Sequence, residues 1–164
     1  MKEQKPPRGL SAIPWRLPIL LYKIKMGWLL GERFFLLTHI GRKSGLPRHA
    51  VLEVMRHDPE KKIWYASSGF GEKSQWFRNV MKTPRVTLQI GNRTVPAIAE
   101  RLSLEDAAEE LARYSKVHPT ALRELSKIIG IPYDGTEESA RNLAHQVPIM
   151  AFREISPEEN GGKK

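Results

Sequence analysis

The sequence predicts an α+β fold: an antiparallel β-barrel of about six strands, with an N-terminal helix and with helices inserted before the last strand. Three observations carry this. Short apolar runs of strand length follow one another between Phe34 and Arg101, joined mostly by turn signals. A parallel α/β fold would need a helix between most strands, and the first five strands lack that spacing. Capped helical segments come late, after Ser103 and before a last apolar run. At 164 residues the chain fits a single domain with a core of its own.

In chain order, Trp15–Leu30 reads as a helix that covers the core, with Lys23 and Lys25 snorkelling. The two lysines sit about 200° apart on a helix, so no basic face opposes an apolar one. The stretch is too short and too charged to span a membrane, and lying on a membrane surface is its alternative role. Phe34–Ile40 is an apolar strand, His49–His57 a second, closed by Asp58-Pro59-Glu60-Lys61-Lys62, and Ile63–Ser68 a third. Ser74 is placed to cap a short helix that Thr83-Pro84 ends. Arg85–Ile90 and Arg93–Arg101 flank Gly91-Asn92, a two-residue hairpin signal.

Ser103 and Asp106 form a capping pair for Leu104–Lys116, with acids in the first turn. His118-Pro119 breaks that helix and starts the next, which Gly130 stops. Thr136 caps another short helix, and Val147–Ile155 is the last strand. These boundaries divide the chain into an N-terminal arm and helix (1–32), a barrel domain (33–155) and a charged tail (156–164).

Composition narrows the chemistry. There is no cysteine, which excludes disulfides, thiolate metal sites and cysteine nucleophiles and agrees with a reducing cytoplasm. No signal peptide is evident. The histidines at 39, 49, 57, 118 and 145 lack close metal-ligand spacing, which argues against a protein-held zinc or iron. Lysine and arginine number 27 against 18 acids, a formal charge of +9. The acids gather at Glu100–Glu110 and at Glu137-Glu138, so the positive field belongs to residues 1–85 and draws in anions. Basic strand residues with interleaved aromatics are missing, which weighs against a nucleic-acid-binding barrel.

Between Gly41 and Arg48 stand two glycines, a proline, a serine and three cations, which is more than a solvated turn requires. It is not a P-loop, and Gly69–Ser74 fails the dinucleotide fingerprint because Ser74 stands where the third glycine belongs. The anion chemistry survives those failures. Glycines let backbone N–H groups converge as a nest, Arg42 and Arg48 offer forked donors, and Lys43 adds a mobile charge. The ligand this predicts is a phosphate or carboxylate. Of the adjacent pair Trp76 and Phe77, one side chain faces the core and the other a groove.

Three stretches together, LLTHIGRKSGLPRHAVLEV, WYASSGFGEKSQWFRNVMKTPRVTLQI and VPIMAF, resemble the deazaflavin-dependent nitroreductase family over about residues 31–154. The resemblance implies a split β-barrel related to flavin-binding oxidases, with reduced coenzyme F420 as hydride donor to a small electron-poor quinone, enone or nitro compound. FMN in the same groove is the nearest rival. By the same resemblance, Arg42, Lys43, Ser44, Gly45 and Arg48 hold the coenzyme's phosphate and acidic tail. Ala66, Ser67 and Ser68 end a strand beside the ring, and Lys73, Trp76 and Asn79 wall the groove. Ser68 stands where other members carry lysine. Tyr133 is the candidate for a substrate-side tyrosine, whereas Tyr114 and His118 read as structural. The expected setting is cytoplasmic, with a homodimer in keeping with such barrels, no specific nucleic-acid partner, and weak membrane-surface contact through residues 10–30.

Overall fold

The computed structural model describes residues 31–156 together with 158 and 159; the helix expected at Trp15–Leu30 and the membrane contact expected through residues 10–30 lie outside them. Seven strands among the described residues form one antiparallel sheet: β1 (Phe34–Ile40), β2 (Pro47–Glu53), β3 (Arg56–Asp58), β4 (Ile63–Ser67), β5 (Arg85–Ile90), β6 (Arg93–Arg101) and β7 (Ile149–Glu154). Their order is β2-β1-β5-β6-β7-β4-β3, and the sheet curls until β2 approaches β4, giving an open half-barrel.

Alternation decides which residues fill it. Phe35 and Leu37 of β1, Val86, Leu88 and Ile90 of β5, and Met150 and Phe152 of β7 point into one core with Trp64 and Phe77. Phe35 and Phe152 meet edge to face, with ring centres 5.3 Å apart. Strand β7 is buried on both faces, because Ile149 turns the other way into a second core beneath the helices. That double burial is why its sequence runs apolar without alternation.

Helix α1 (Gln75–Lys82) plugs the barrel with Phe77 and Val80. Helices α2 (Leu104–Val117), α3 (Pro119–Ile129) and α4 (Glu137–Asn142) build the second core around Leu111, Leu122 and Leu143. Their expected signals operate. The Ser103 hydroxyl accepts from the Asp106 N–H at 3.0 Å, and Thr136 Oγ1 accepts from the Ser139 N–H at 3.2 Å. Pro119 opens α3, and Gly130 ends it at φ +73°. The Gly91-Asn92 hairpin joins β5 and β6 in the expected register, with Ile90 opposite Arg93.

One strand is corrected. His49–His57 is two strands, broken at Val54-Met55, where the chain leaves β1 and passes to β4: the Val54 N–H donates to the Arg33 carbonyl and the Met55 N–H to the Tyr65 carbonyl, both at 2.8 Å. A strand-like run with no turn residue in it hides such a change of partner, because both halves satisfy the same pattern. The far strand is then fastened to the helical layer. Arg56 forks onto the buried Glu110 at 3.0 and 2.6 Å and stacks over Tyr65.

Candidate functional site

The Gly41–Leu46 turn connects β1 to β2, so that Ile40 pairs with Pro47 and His39 with Arg48. The Gly41 N–H donates to the Leu46 carbonyl and the Gly45 N–H to the Gly41 carbonyl, both at 2.8 Å. Gly45 takes φ +66°, where other residues are strained. A Cβ on Gly41 would stand 2.7 Å from the Ser44 hydroxyl and 3.3 Å from the Leu46 carbonyl.

The turn makes no full backbone nest. The N–H groups of Gly41, Arg42, Gly45 and Leu46 are all spent on protein acceptors, the last on the Ser44 hydroxyl at 3.3 Å. Its capacity for anions therefore resides in side chains. Lys43 and Arg48 are exposed, and among the described residues neither they nor Arg42 has a carboxylate partner. Four arginines elsewhere are neutralised in place: Arg56 by Glu110, Arg93 by Glu154, Arg101 by Glu72, Arg141 by Glu109 and Glu137. A set of donor-only groups left without acids suits an anion.

Helix α1 holds this loop from behind. The buried Asn79 accepts through Oδ1 from the Arg42 backbone N–H at 3.1 Å and from Arg42 Nη1 at 3.0 Å. Lys82 Nζ donates to the Arg42 carbonyl at 3.1 Å. Trp76 lies three residues before Asn79, on the same helical face. It is half-buried, packed edge-on to Phe77 with centres 6.1 Å apart and tilted against Phe152 at 6.4 Å. Phe77 is the core member of the pair, and Trp76 keeps part of its surface outside.

The second loop, after β4, is built on serines. The Ser68 N–H donates to the Pro148 carbonyl at 2.9 Å, and its buried hydroxyl donates to the Gly71 carbonyl and shares a bond with the Ser74 hydroxyl, both at 2.8 Å. Ser74 thus stands at the N-cap of α1 without capping it, its side chain turned inward. Gly71 adopts φ +61°, and a Cβ there would come within 3.1 Å of the Gln146 carbonyl. Ala66 is wholly buried in the barrel core, Ser67 is half-buried opposite Ile149, and Lys73 is exposed at the end of the single turn Gly71–Lys73. The polar groups of Ser68 are therefore committed to shaping the turn.

Tyr133 lies in the helical layer, half-buried against the second core, and that layer reaches this loop through Leu125 of α3, whose Cδ1 would meet a Cβ on Gly69 at 3.1 Å. Tyr114 belongs to the same core, and burial pushes its hydroxyl up to about 12, so it keeps its proton near neutrality.

One residue of the site escapes a reading of motifs. His39 accepts at Nδ1 from Asn79 Nδ2 at 3.1 Å. The signal is strand parity: Phe35, Leu37 and residue 39 share one face, so the imidazole is aimed at the barrel interior and needs a polar partner there. Burial, then the charge of His49 and of Arg48, lower its pKa from the ordinary 6.5 to about 4, a contact with the Ile40 backbone opposing them in part. Between those values the unfolded chain binds the proton more readily. The contribution to stability is thus complete above pH 6.5 and is lost as pH falls through about 4. At about 1.4 kcal/mol per unit, trimmed for screening near the surface, the loss is about 2 kcal/mol. Urea unfolding between pH 7 and pH 4 should show this slope in the wild type and not in His39→Asn; equal slopes would exclude His39 as its source.

The family model described as F420H(2)-dependent quinone reductase matches residues 23–124, well over half of the chain. The chain belongs to this family. It is an oxidoreductase of that family, acting on a small electron-poor substrate. Solved structures repeat the fold. One, described as an F420-H2 dependent reductase, is 19% identical, with 75% of this chain and 96% of the other covered at a TM-score of 0.53. A second, described as a domain-swapped dimer, is 20% identical over 87% of this chain and all of the other, at 0.54. A third, from Nostoc punctiforme and described as an FMN-binding protein related to pyridoxamine 5'-phosphate oxidase, is 14% identical over 90% and 83%, at 0.54. The open half-barrel is thus common to deazaflavin and flavin proteins, and this chain meets the sequence model of the F420H(2)-dependent family. Among the described residues, no helix is long and apolar enough to cross a membrane.

Proposed function

We propose that this quinone reductase family member uses reduced coenzyme F420 as its hydride donor to a quinone, enone or nitro compound, through a cofactor-binding domain spanning 33–155. The observation that carries the reading is the Gly41–Arg48 turn, in which Arg42 is held against α1 and none of the three cations is neutralised by a described carboxylate. Lys43 and Arg48, with Arg42 behind them, would hold a phosphate and an acidic tail through charge-assisted bonds, while Ser44 and Gly45 keep the turn closed. Ser67 and Trp76 would border the ring, Ala66 and Ser68 would support that border from inside, and Lys73 and Tyr133 would lie at its rim. When bound, the deazaflavin supplies the hydride. The chain's own contribution is to orient it and to exclude water, which Trp76 does by covering the groove with an apolar face. A homodimer is the assembly we propose, on the support of a structural neighbour described as one.

Titration of the purified protein with F420 and with FMN, followed by tryptophan fluorescence, tests the reading. Saturable F420 binding at least tenfold tighter than FMN is expected, because only the former has an acidic tail for the extra cations. Tighter FMN binding would replace F420 by FMN in the same groove, and binding of neither would remove the cofactor site.

A further inference from the structure

We propose that His39 and Asn79 are positioning residues for the anion loop: a neutral imidazole fixes the Asn79 amide, and that amide holds Arg42 in place without cancelling its charge. This deepens the function proposed above and rests on it. The chain of contacts is short and directional. Arg42 brings two donors to one atom, its backbone N–H at 3.1 Å and Nη1 at 3.0 Å, so that atom must be the amide oxygen of Asn79. The amide nitrogen therefore faces His39 at 3.1 Å, and because it can only donate, His39 must accept at Nδ1 and carry its proton on the other ring nitrogen. A protonated imidazole would set two donors against each other. Its titratable and charged surroundings are Arg48 and His49 on β2 and Arg42 in the loop, with Lys82 of α1 on the Arg42 carbonyl. All of these are cations or histidines, and none favours a proton on His39.

The choice of an amide is what gives this arrangement a function. At Arg56, Arg93, Arg101 and Arg141 the protein tethers a guanidinium with a carboxylate, which fixes the side chain and consumes its charge. At Arg42 the tether is neutral, and the relay behind it is neutral as well. One N–H of the guanidinium is used by Asn79, and its charge remains available to an incoming anion. The same helix carries Trp76 three residues before Asn79, so the tether also sets the distance between the anion anchor and the ring-side wall.

Three variants of the full chain and two readouts test the relay. Asn79→Asp should keep the fold and hold Arg42 as an ion pair, yet weaken F420 binding about 10–30-fold, because the carboxylate cancels the charge the anion needs. His39→Leu removes the acceptor and should weaken binding about 5–10-fold, whereas His39→Asn, whose Oδ1 can take the place of Nδ1, should restore it to within about twofold. Without cofactor, the Arg42 backbone amide and the Asn79 side-chain amide should titrate together in 1H–15N NMR with a midpoint near pH 4, and His39→Asn should abolish that titration. Wild-type affinity in both Asn79→Asp and His39→Leu, or amides that ignore the titration of His39, would overturn the relay. If His39→Leu does not fold, Asn79→Asp and the NMR titration still decide. If the wild type binds neither F420 nor FMN, the function proposed above fails, and the NMR titration judges the relay by itself.

Discussion

Replacing Lys43 and Arg48 together by alanine is expected to weaken F420 binding by about 2–4 kcal/mol with the fold intact. Each lost charge-assisted bond is worth about 1.5–3 kcal/mol, and two that meet one ligand do not add fully. The fold should survive because both side chains are exposed and neither is engaged in an ion pair among the described residues, while the turn itself is closed by backbone bonds of Gly41, Gly45 and Leu46. Calorimetric titration at two ionic strengths checks this, since screening should shrink the difference between wild type and variant at high salt. Equal affinity in a folded double variant would mean that the turn does not meet an anion.

Trp76→Ala is expected to slow single-turnover oxidation of bound reduced F420 by menadione on the order of a hundredfold, the cost of misplacing the reacting groups by about 1 Å. Cofactor affinity should fall much less, because the anchoring cations lie on the Gly41–Arg48 turn and not on this side chain. Trp76 also packs against Phe77 and Phe152, so the variant should lose about 2 kcal/mol of stability, less than a fully buried tryptophan would cost. Trp76→Phe separates the two effects, retaining most of the packing while narrowing the wall of the groove. A Trp76→Ala protein that binds and turns over like the wild type would place the groove elsewhere. One that unfolds, with Trp76→Phe unimpaired in rate, would leave Trp76 as a core residue alone.

Much of the candidate site was legible because its residues lie close together along the chain. The glycines and cations of Gly41–Arg48, on which the proposed anion loop rests, stand in eight consecutive residues, and the spacing of Trp76 and Asn79 puts both on one face of a helix whose end Thr83-Pro84 marks. The full backbone nest expected there does not form, because the N–H groups of Gly41, Arg42, Gly45 and Leu46 are needed to close the turn and to meet Asn79. Ser68 and Ser74 looked available for a ring edge and for a helix cap, yet each is satisfied by the other across the turn. Small hydroxyls have many partners within reach, and nothing short of the folded geometry selects among them.

The sequence alone determined those elements whose signals lie within a few residues of one another. These are the Gly91-Asn92 hairpin, the caps at Ser103 and Thr136, the break at His118-Pro119, the stop at Gly130, and the concentration of cations in the first half. Tertiary structure decided which strands lie side by side, where His49–His57 changes partner, and which cations are neutralised. It also made the contact on which the site turns, in which Asn79 is brought to His39 forty residues back and to Arg42 thirty-seven residues back. Backbone geometry propagates only a few residues along a chain, so local patterns can state the elements. Contacts across such separations exist only after the sheet has curled and its loop-closure entropy has been met by the burial of the common core.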